Sequence, residues 1–317
     1  LIGPVLFIWL AYNVVNQVKA QPDLQLYIDR IHVIINEKGF VLLSLVCLLM
    51  FFQWILEAKK WQLLLAPVFL ISLKRALMAI FSGIAFSIAT PNRMGEFAGR
   101  ILHLPANARF QGTSFTFVGN FAQLIVTLIC GGFSLFFLDE RISNMLGSRI
   151  LRDVFFMLKI ATPVIVVLSL MIYFKLGIIF NKLFSHRFFN KVNIKLASLK
   201  NIPLSILGTV LVLSFARFLI FIVQYYLLFI FTGVDIPFFD VVICISVLFL
   251  LLAAIPTITF LELGVRWQVA LVLFAHVTNN KLGVSLTITA VWFINLILPA
   301  FVGALTTIKF KWRRAKF

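Results

Sequence analysis

Long apolar runs separated by short charged segments set the pattern of this chain. Six such runs cover residues 1–17, 40–56, 111–138, 154–174, 203–231 and 284–308. Helices of this length suit a bilayer core about 30 Å thick, at about 1.5 Å of rise per residue. Strict alternation in segments of about ten residues, the mark of a membrane β-barrel, is absent. The pattern predicts six full spans. The first is cut short at its start.

Two further pairs of runs are shorter. Residues 76–89 are followed by 94–104, and 241–255 by 261–276. A helix over 76–89 would rise only about 21 Å, less than the bilayer core. Thr90-Pro91 stops the first run, because proline disfavours helix in the residue before it and can itself open a new helix. Pro256-Thr257 breaks the second. The expectation is two re-entrant hairpins, 76–104 and 241–277, one in each half of a single transmembrane domain that covers 1–317. Full crossing of both pairs, giving ten spans, is the other topology the pattern allows.

The remaining segments read as connections. Residues 17–39 form a polar link, and Glu57-Ala58-Lys59-Lys60-Trp61 a basic-aromatic anchor at the interface. Residues 62–73 are apolar between basic ends and are expected to lie along the membrane surface. Residues 139–153 and 175–200 are loops, the second basic and without an acid.

Composition agrees with the pattern. The chain is 62% hydrophobic and 12% charged, with 36 Phe, whereas soluble domains average about 25% charged. The fold class expected is an all-α polytopic integral membrane protein. The net charge of +17 does not point to nucleic acid, because it gathers in short loops and in the tail KFKWRRAKF. With two hairpins and six spans, one side takes Lys59, Lys60, Lys74, Arg75, Arg109, the basic residues of 175–200 and the tail. They outnumber the basic residues of the other side, so that side is cytoplasmic and holds both termini. The hairpins then enter from opposite sides, as in an inverted repeat. A bacterial inner membrane is the expected location.

Chemistry concentrates in the two breaks, TPNRMGEFAGR (Thr90 to Arg100) and IPTITFLELGVR (Ile255 to Arg266). Thr90 can cap a helix starting at Pro91, and Thr259-Phe260-Leu261-Glu262 fits a capping box. Each break then aims a helix N-terminus inward, which favours an anion. Glu96 with Arg100, and Glu262 with Arg266, have the i, i+4 spacing that pairs side chains. Arg93 has Glu96 alone as a local partner, and Arg217 lies within an apolar run. Unpaired charges at the bilayer centre cost at least about 2.5–3.5 kcal/mol each. An anionic headgroup offsets that cost, and arginine suits phosphate because it binds with two prongs.

The candidate headgroup residues are therefore Arg93, Glu96, Arg100, Arg217, Glu262, Arg266, Asn92 and Thr257, with Asn120 beside them. Thr90, Pro91, Gly95, Pro256 and Gly264 shape the breaks, and Gly95 with Gly99 lets a helix or headgroup approach closely. The same pairs also fit a structural role, as staples of the broken backbone. Arg217 can pair with Glu96 or Glu262, or snorkel. His103 and His276 stand alone in sequence, and Cys47, Cys130 and Cys244 lie in apolar runs. No metal site, disulfide, cofactor or catalytic set is expected. The chain opens at Leu1 rather than Met, which implies a short preceding piece, and it shows no cleavable signal pattern.

Three stretches carry a resemblance: Trp61-Gln-Leu-Leu-Leu, TPNRMGEFAGR and IPTITFLELGVRWQVAL. Together they resemble the lysylphosphatidylglycerol synthase transmembrane family, the flippase-like membrane region of the multiple peptide resistance factor and its stand-alone relatives. That family usually reads P-G-R-x-G-E in the first break and P-x-x-x-G-G-x-G-x-R-E in the second. Here Asn92 replaces the first glycine. The second break is one residue longer from Pro256 to Gly264 and lacks the paired glycines, and Trp267 stands where the family has an acid. The partner of Arg266 is then Glu262, one turn earlier. The resemblance implies translocation or binding of a lipid, without the aminoacyl-transfer enzyme. The expected partners are membrane lipids. An enzyme of lipid synthesis and a second copy of the chain are the protein partners left open. Two other readings stand beside translocation: a scaffold holding lipid for an enzyme, and an embedded transferase using Glu96 or Glu262 as base.

Overall fold

The computed structural model describes residues 2–88, 90, 93–143, 149–176, 179, 202–255 and 259–314. The regular elements among them are all helical. In chain order they are α1 (Ile2–Lys19), α2 (Leu24–Ile34), α3 (Phe40–Leu65), α4 (Leu73–Ile88), α5 (Gly95–Ile101) and α6 (Arg109–Ser143). Then follow α7 (Arg149–Phe174), α8 (Leu204–Phe231), α9 (Phe238–Ala254), α10 (Thr259–Phe274), α11 (Lys281–Trp292) and α12 (Leu298–Arg314). Five helical stretches among the described residues are long and apolar enough to cross a bilayer: Leu24–Leu65, Ala106–Leu138, Phe156–Phe174, Leu204–Phe231 and Lys281–Thr307. They coincide with five of the six expected spans. The first expected span is helical as α1 but is not among the five.

Three connections differ from expectation. The link at 17–39 is largely α2, followed by a π-helical turn over Ile35–Gly39 that runs into α3. Leu24, Ile28, Ile31 and Ile35 recur at helical spacing there, and this period outweighs the interspersed charges. The anchor at 57–61 does not end α3, which continues to Leu65. The stretch 62–73 is therefore not one separate element. Its first four residues close α3, and α4 already begins at Leu73. Gln62 Nε2 donates to the Ile71 carbonyl at 2.6 Å and ties the intervening loop.

The last span is also irregular. A π-helical turn over Phe293–Ile297 separates α11 from α12. Pro299 lacks the N–H that would bond back to the Asn295 carbonyl, so the regular ladder cannot continue through it.

The chain forms two compact units, and the division falls within α3, α6, α7 and α8. One unit comprises residues 1–51, 127–163 and 219–297. In it α10 packs against α1, α9 and α11. Gln17 bonds Gln268 at 3.3 Å, and Trp267 Nε1 donates to Thr289 at 2.9 Å.

The other unit comprises 52–126, 164–218 and 298–317, and its closest packing is of α4 against α5 and α12. Small residues make that contact. A Cβ on Gly99 would lie 2.5 Å from the Cα of Gly83, and one on Gly95 would lie 2.2 Å from the Phe86 carbonyl oxygen. On the α12 side, a Cβ on Gly303 would lie 1.8 Å from the Phe81 carbonyl oxygen. The backbones meet without side chains between them, as small residues permit in lipid. The Ser82 hydroxyl on α4 links α12 and the turn after α5: His103 Nε2 lies 2.9 Å away, and Thr307 donates to it at 3.1 Å.

Candidate functional site

The second unit's charge cluster is built on one face of α3. Trp54, Glu57 and Trp61 are spaced three and four apart, which stacks them on that face. All three are buried. Glu57 faces three cations from three helices. Its Oε1 accepts from Arg100 Nη2 of α5 at 2.9 Å. Its Oε2 takes Arg217 Nη1 of α8 at 2.8 Å and Lys60 Nζ of its own helix at 2.8 Å. The two arginines also lie over the flanking indoles. Arg217 sits 4.8 Å from the Trp54 ring centroid, and Arg100 5.9 Å from that of Trp61.

The cluster continues outward through Glu96. Arg100 bonds Glu96 as well as Glu57, and Asn120 Nδ2 of α6 donates to Glu96 Oε2 at 3.4 Å. Lys60 Nζ lies 3.2 Å from the Ser214 hydroxyl of α8. Exposure grades across the group: the side chains of Glu57, Lys60 and Arg100 are at 1–2%, whereas Arg217 is at 14% and Glu96 at 17%. A carboxylate taken out of water costs several kcal/mol unless charge-assisted bonds answer it, and three answer Glu57. Among the described residues, Lys60, Arg100 and Arg217 face Glu57 and Glu96, three cations against two carboxylates, and Arg93 adds a positive charge at the rim. The Nε–H of Arg100 is buried and finds no acceptor among the described residues.

The first break sits at the edge of this cluster. Thr90 accepts a bond from the Gly95 N–H at 2.7 Å, so its hydroxyl does cap α5. The cap position is nonetheless Met94, and the helix has only seven residues. The helix expected from Pro91 falls on residues outside the described ones, while the first N–H of α5 is already used by Thr90. Charge here comes from side chains rather than from a helix end. Arg93 is exposed and has a φ of 57°, a left-handed conformation uncommon outside glycine. Pro91 and Asn92 lie outside the described residues.

The second break belongs to the first unit. Glu262 Oε1 accepts from Arg266 Nε at 3.0 Å and from Nη2 at 2.5 Å, within α10. The guanidinium lies 5.9 Å from the Phe249 ring centroid. Gly264 is buried inside α10, within the returning run expected at 261–276. Pro256 and Thr257 lie outside the described residues, as does the side-chain geometry of the capping box at Thr259.

One assignment made from sequence is overturned in the second unit: Glu57 and Lys60 are not interface groups but the buried centre of the cluster. Arg217 finds in Glu57 a partner that its local sequence did not name, and Glu96 also attracts it. The spacing carried the signal: Glu57 shares its helical face with Trp54 and Trp61, whereas Lys59 points to the exposed side.

What this arrangement offers chemically is a set of arginine forks in a low-dielectric setting with positive charge in excess. No curated protein matches the chain, and no solved structure matches it. The family described as the lysylphosphatidylglycerol synthase TM region matches residues 5–303. With its apolar helices and that match over nearly its whole length, the chain is an integral membrane protein and belongs to the lysylphosphatidylglycerol synthase TM region family.

Proposed function

We propose that this protein is a flippase-like translocator that passes an anionic, phosphate-bearing lipid headgroup through the membrane while the acyl tails stay in the bilayer. The observation that carries the reading is the buried cluster on Glu57, where three cations face two carboxylates in a protein of a lipid-related family. Phosphate oxygens suit the same donors that the carboxylates use, because arginine forks bind both with parallel bonds. Arg93 and Arg100 would receive the headgroup, with Glu96 and Asn120 beside them. Glu262 and Arg266 would play the corresponding part at the second break. The two helix pairs are read as re-entrant hairpins of an inverted repeat, entering a bacterial inner membrane from opposite sides with both termini cytoplasmic. α5 is too short to cross, since seven residues rise only about 10 Å.

A second reading has one observation in its favour. Glu96–Arg100 and Glu262–Arg266 are ion pairs already formed within their own helices, as in a site that holds lipid for a partner enzyme without moving it. Transbilayer movement of labelled lipids in proteoliposomes separates the two. Rapid movement of anionic lipid, lost in Arg100→Gln and in Arg266→Gln, supports the translocator. Lipid retained through purification but never moved supports the scaffold.

A further inference from the structure

We infer that Lys60 is a proton-binding site whose protonation is linked to anion binding at the Glu57 cluster. The inference rests on the proposed translocator only for the identity of the anion. Among the described residues, three cations and two carboxylates in contact leave one positive charge in excess, and Arg93 at the rim adds to it. Two events lower that excess: an anion enters, or a proton leaves. Arg100 and Arg217 cannot supply the proton, because a guanidinium stays charged in proteins. Protonating Glu57 or Glu96 would only add to the excess. Lys60 is the cluster's remaining titratable cation.

The surroundings of Nζ suit both charge states. From its own helix it meets Glu57 at 2.8 Å. From α8 it meets the Ser214 hydroxyl at 3.2 Å, with Arg217 on the shared carboxylate. From α5 come Arg100, also on Glu57, and Glu96 behind it. From α6 come Gly119, near the Lys60 stem, and Asn120, which bonds Glu96. Arg93, at the break, is exposed. A hydroxyl both accepts from an ammonium and donates to a neutral amine. Ser214, buried, therefore satisfies Lys60 with or without its proton.

The step balances simply. With no anion bound, Nζ gives up its proton as the solution turns mildly alkaline, and the neutral amine takes its hydrogen bond from Ser214. When an anion docks on Arg100 and Arg217, Nζ takes a proton from bulk water, forming one N–H bond, and the cluster keeps its charge balance. Linkage is reciprocal, so lower pH must tighten anion binding by the same coupling.

The test is calorimetric titration of the full chain in detergent with dihexanoylphosphatidylglycerol, at mildly alkaline pH, in buffers of different ionisation enthalpy. The expected result is uptake of about one proton per bound lipid, lost in Lys60→Arg and reduced in Ser214→Ala, whose smaller side chain fits the site. Dihexanoylphosphatidylcholine is the zwitterionic control and should give no uptake. A lipid-free arm compares thermal midpoints of wild type and Lys60→Arg as pH is raised. Wild type sheds its excess charge and the variant cannot, so the gap should widen by several degrees. Lipid binding without proton uptake, or midpoints that run parallel, overturns the inference. Divergent midpoints in a protein that binds no anionic lipid would overturn the translocator reading instead, leaving the proton site for an anion that is not a lipid headgroup.

Discussion

Arg217 on α8 places its Nη1 2.8 Å from Oε2 of Glu57 on α3, a pair separated by 160 positions in the chain. Glu57 is the shared acceptor of the cluster, so its loss should cost more than the loss of any one cation. Glu57→Gln leaves Lys60, Arg100 and Arg217 facing each other, with Glu96 the remaining carboxylate of the cluster among the described residues. Breaking a buried pair by removing one partner costs about 3–5 kcal/mol. The thermal midpoint in detergent should fall well below that of Arg217→Gln. In the double variant the two losses should fall short of their sum by about 0.5–3 kcal/mol, since contacting residues couple. Full additivity would mean that the pair does not interact.

Glycines in two settings should respond in opposite ways. Gly99→Ala would place a Cβ 2.5 Å from the Gly83 Cα and the Ser82 carbonyl oxygen. These are backbone atoms and cannot swing aside, so α4 and α5 must separate at a cost of about 1–3 kcal/mol. Gly208 lies inside α8, and a Cβ there would meet nothing within 4 Å. Gly208→Ala should therefore be neutral or stabilise by up to about 1 kcal/mol, because alanine is the better helix former. Melting curves of the two variants, measured side by side, check both signs.

Thr90 holds the start of α5 through the Gly95 N–H. Thr90→Val keeps the shape but removes the acceptor, and should cost about 1 kcal/mol, the usual worth of a helix cap. Thr90→Ser retains the oxygen and should stay near wild type. The local nature of the change makes hydrogen exchange at Gly95 the informative measurement. Faster exchange in the valine variant alone is expected, and equal rates in all three proteins would remove Thr90 from the cap.

The period of the apolar runs made most of the helices legible, and proline with threonine marked both breaks. Glu96–Arg100 and Glu262–Arg266 were legible too, because i, i+4 partners need no knowledge of tertiary structure. Contacts between distant helices were not. Nothing local to Arg217 names Glu57 as its partner, and Lys60 beside Lys59 reads as a solvated charge pair until the helix face is considered. The 17–39 link was misread for the opposite reason: its charges drew attention from an apolar period that holds the helix together.

The pair on α10 gives a prediction that separates a staple from a binding residue. Arg266 uses Nε and Nη2 on a single oxygen of Glu262. Glu262→Gln keeps the volume and the acceptor but removes the charge, so Arg266 is left with its positive charge uncompensated by that side chain. The side chains are 11% and 15% exposed, less deeply buried than Glu57, and the stability loss should be smaller than for Glu57→Gln. If Arg266 takes part in holding a headgroup, an anion should now fill the vacated role. Anionic lipid copurifying with the variant should rise several-fold by mass spectrometry, because about 1 kcal/mol of added affinity is already a factor of five. Transport in proteoliposomes should slow, since a headgroup held more tightly leaves more slowly. A variant that loses stability with no change in bound lipid would identify Glu262–Arg266 as a staple of α10.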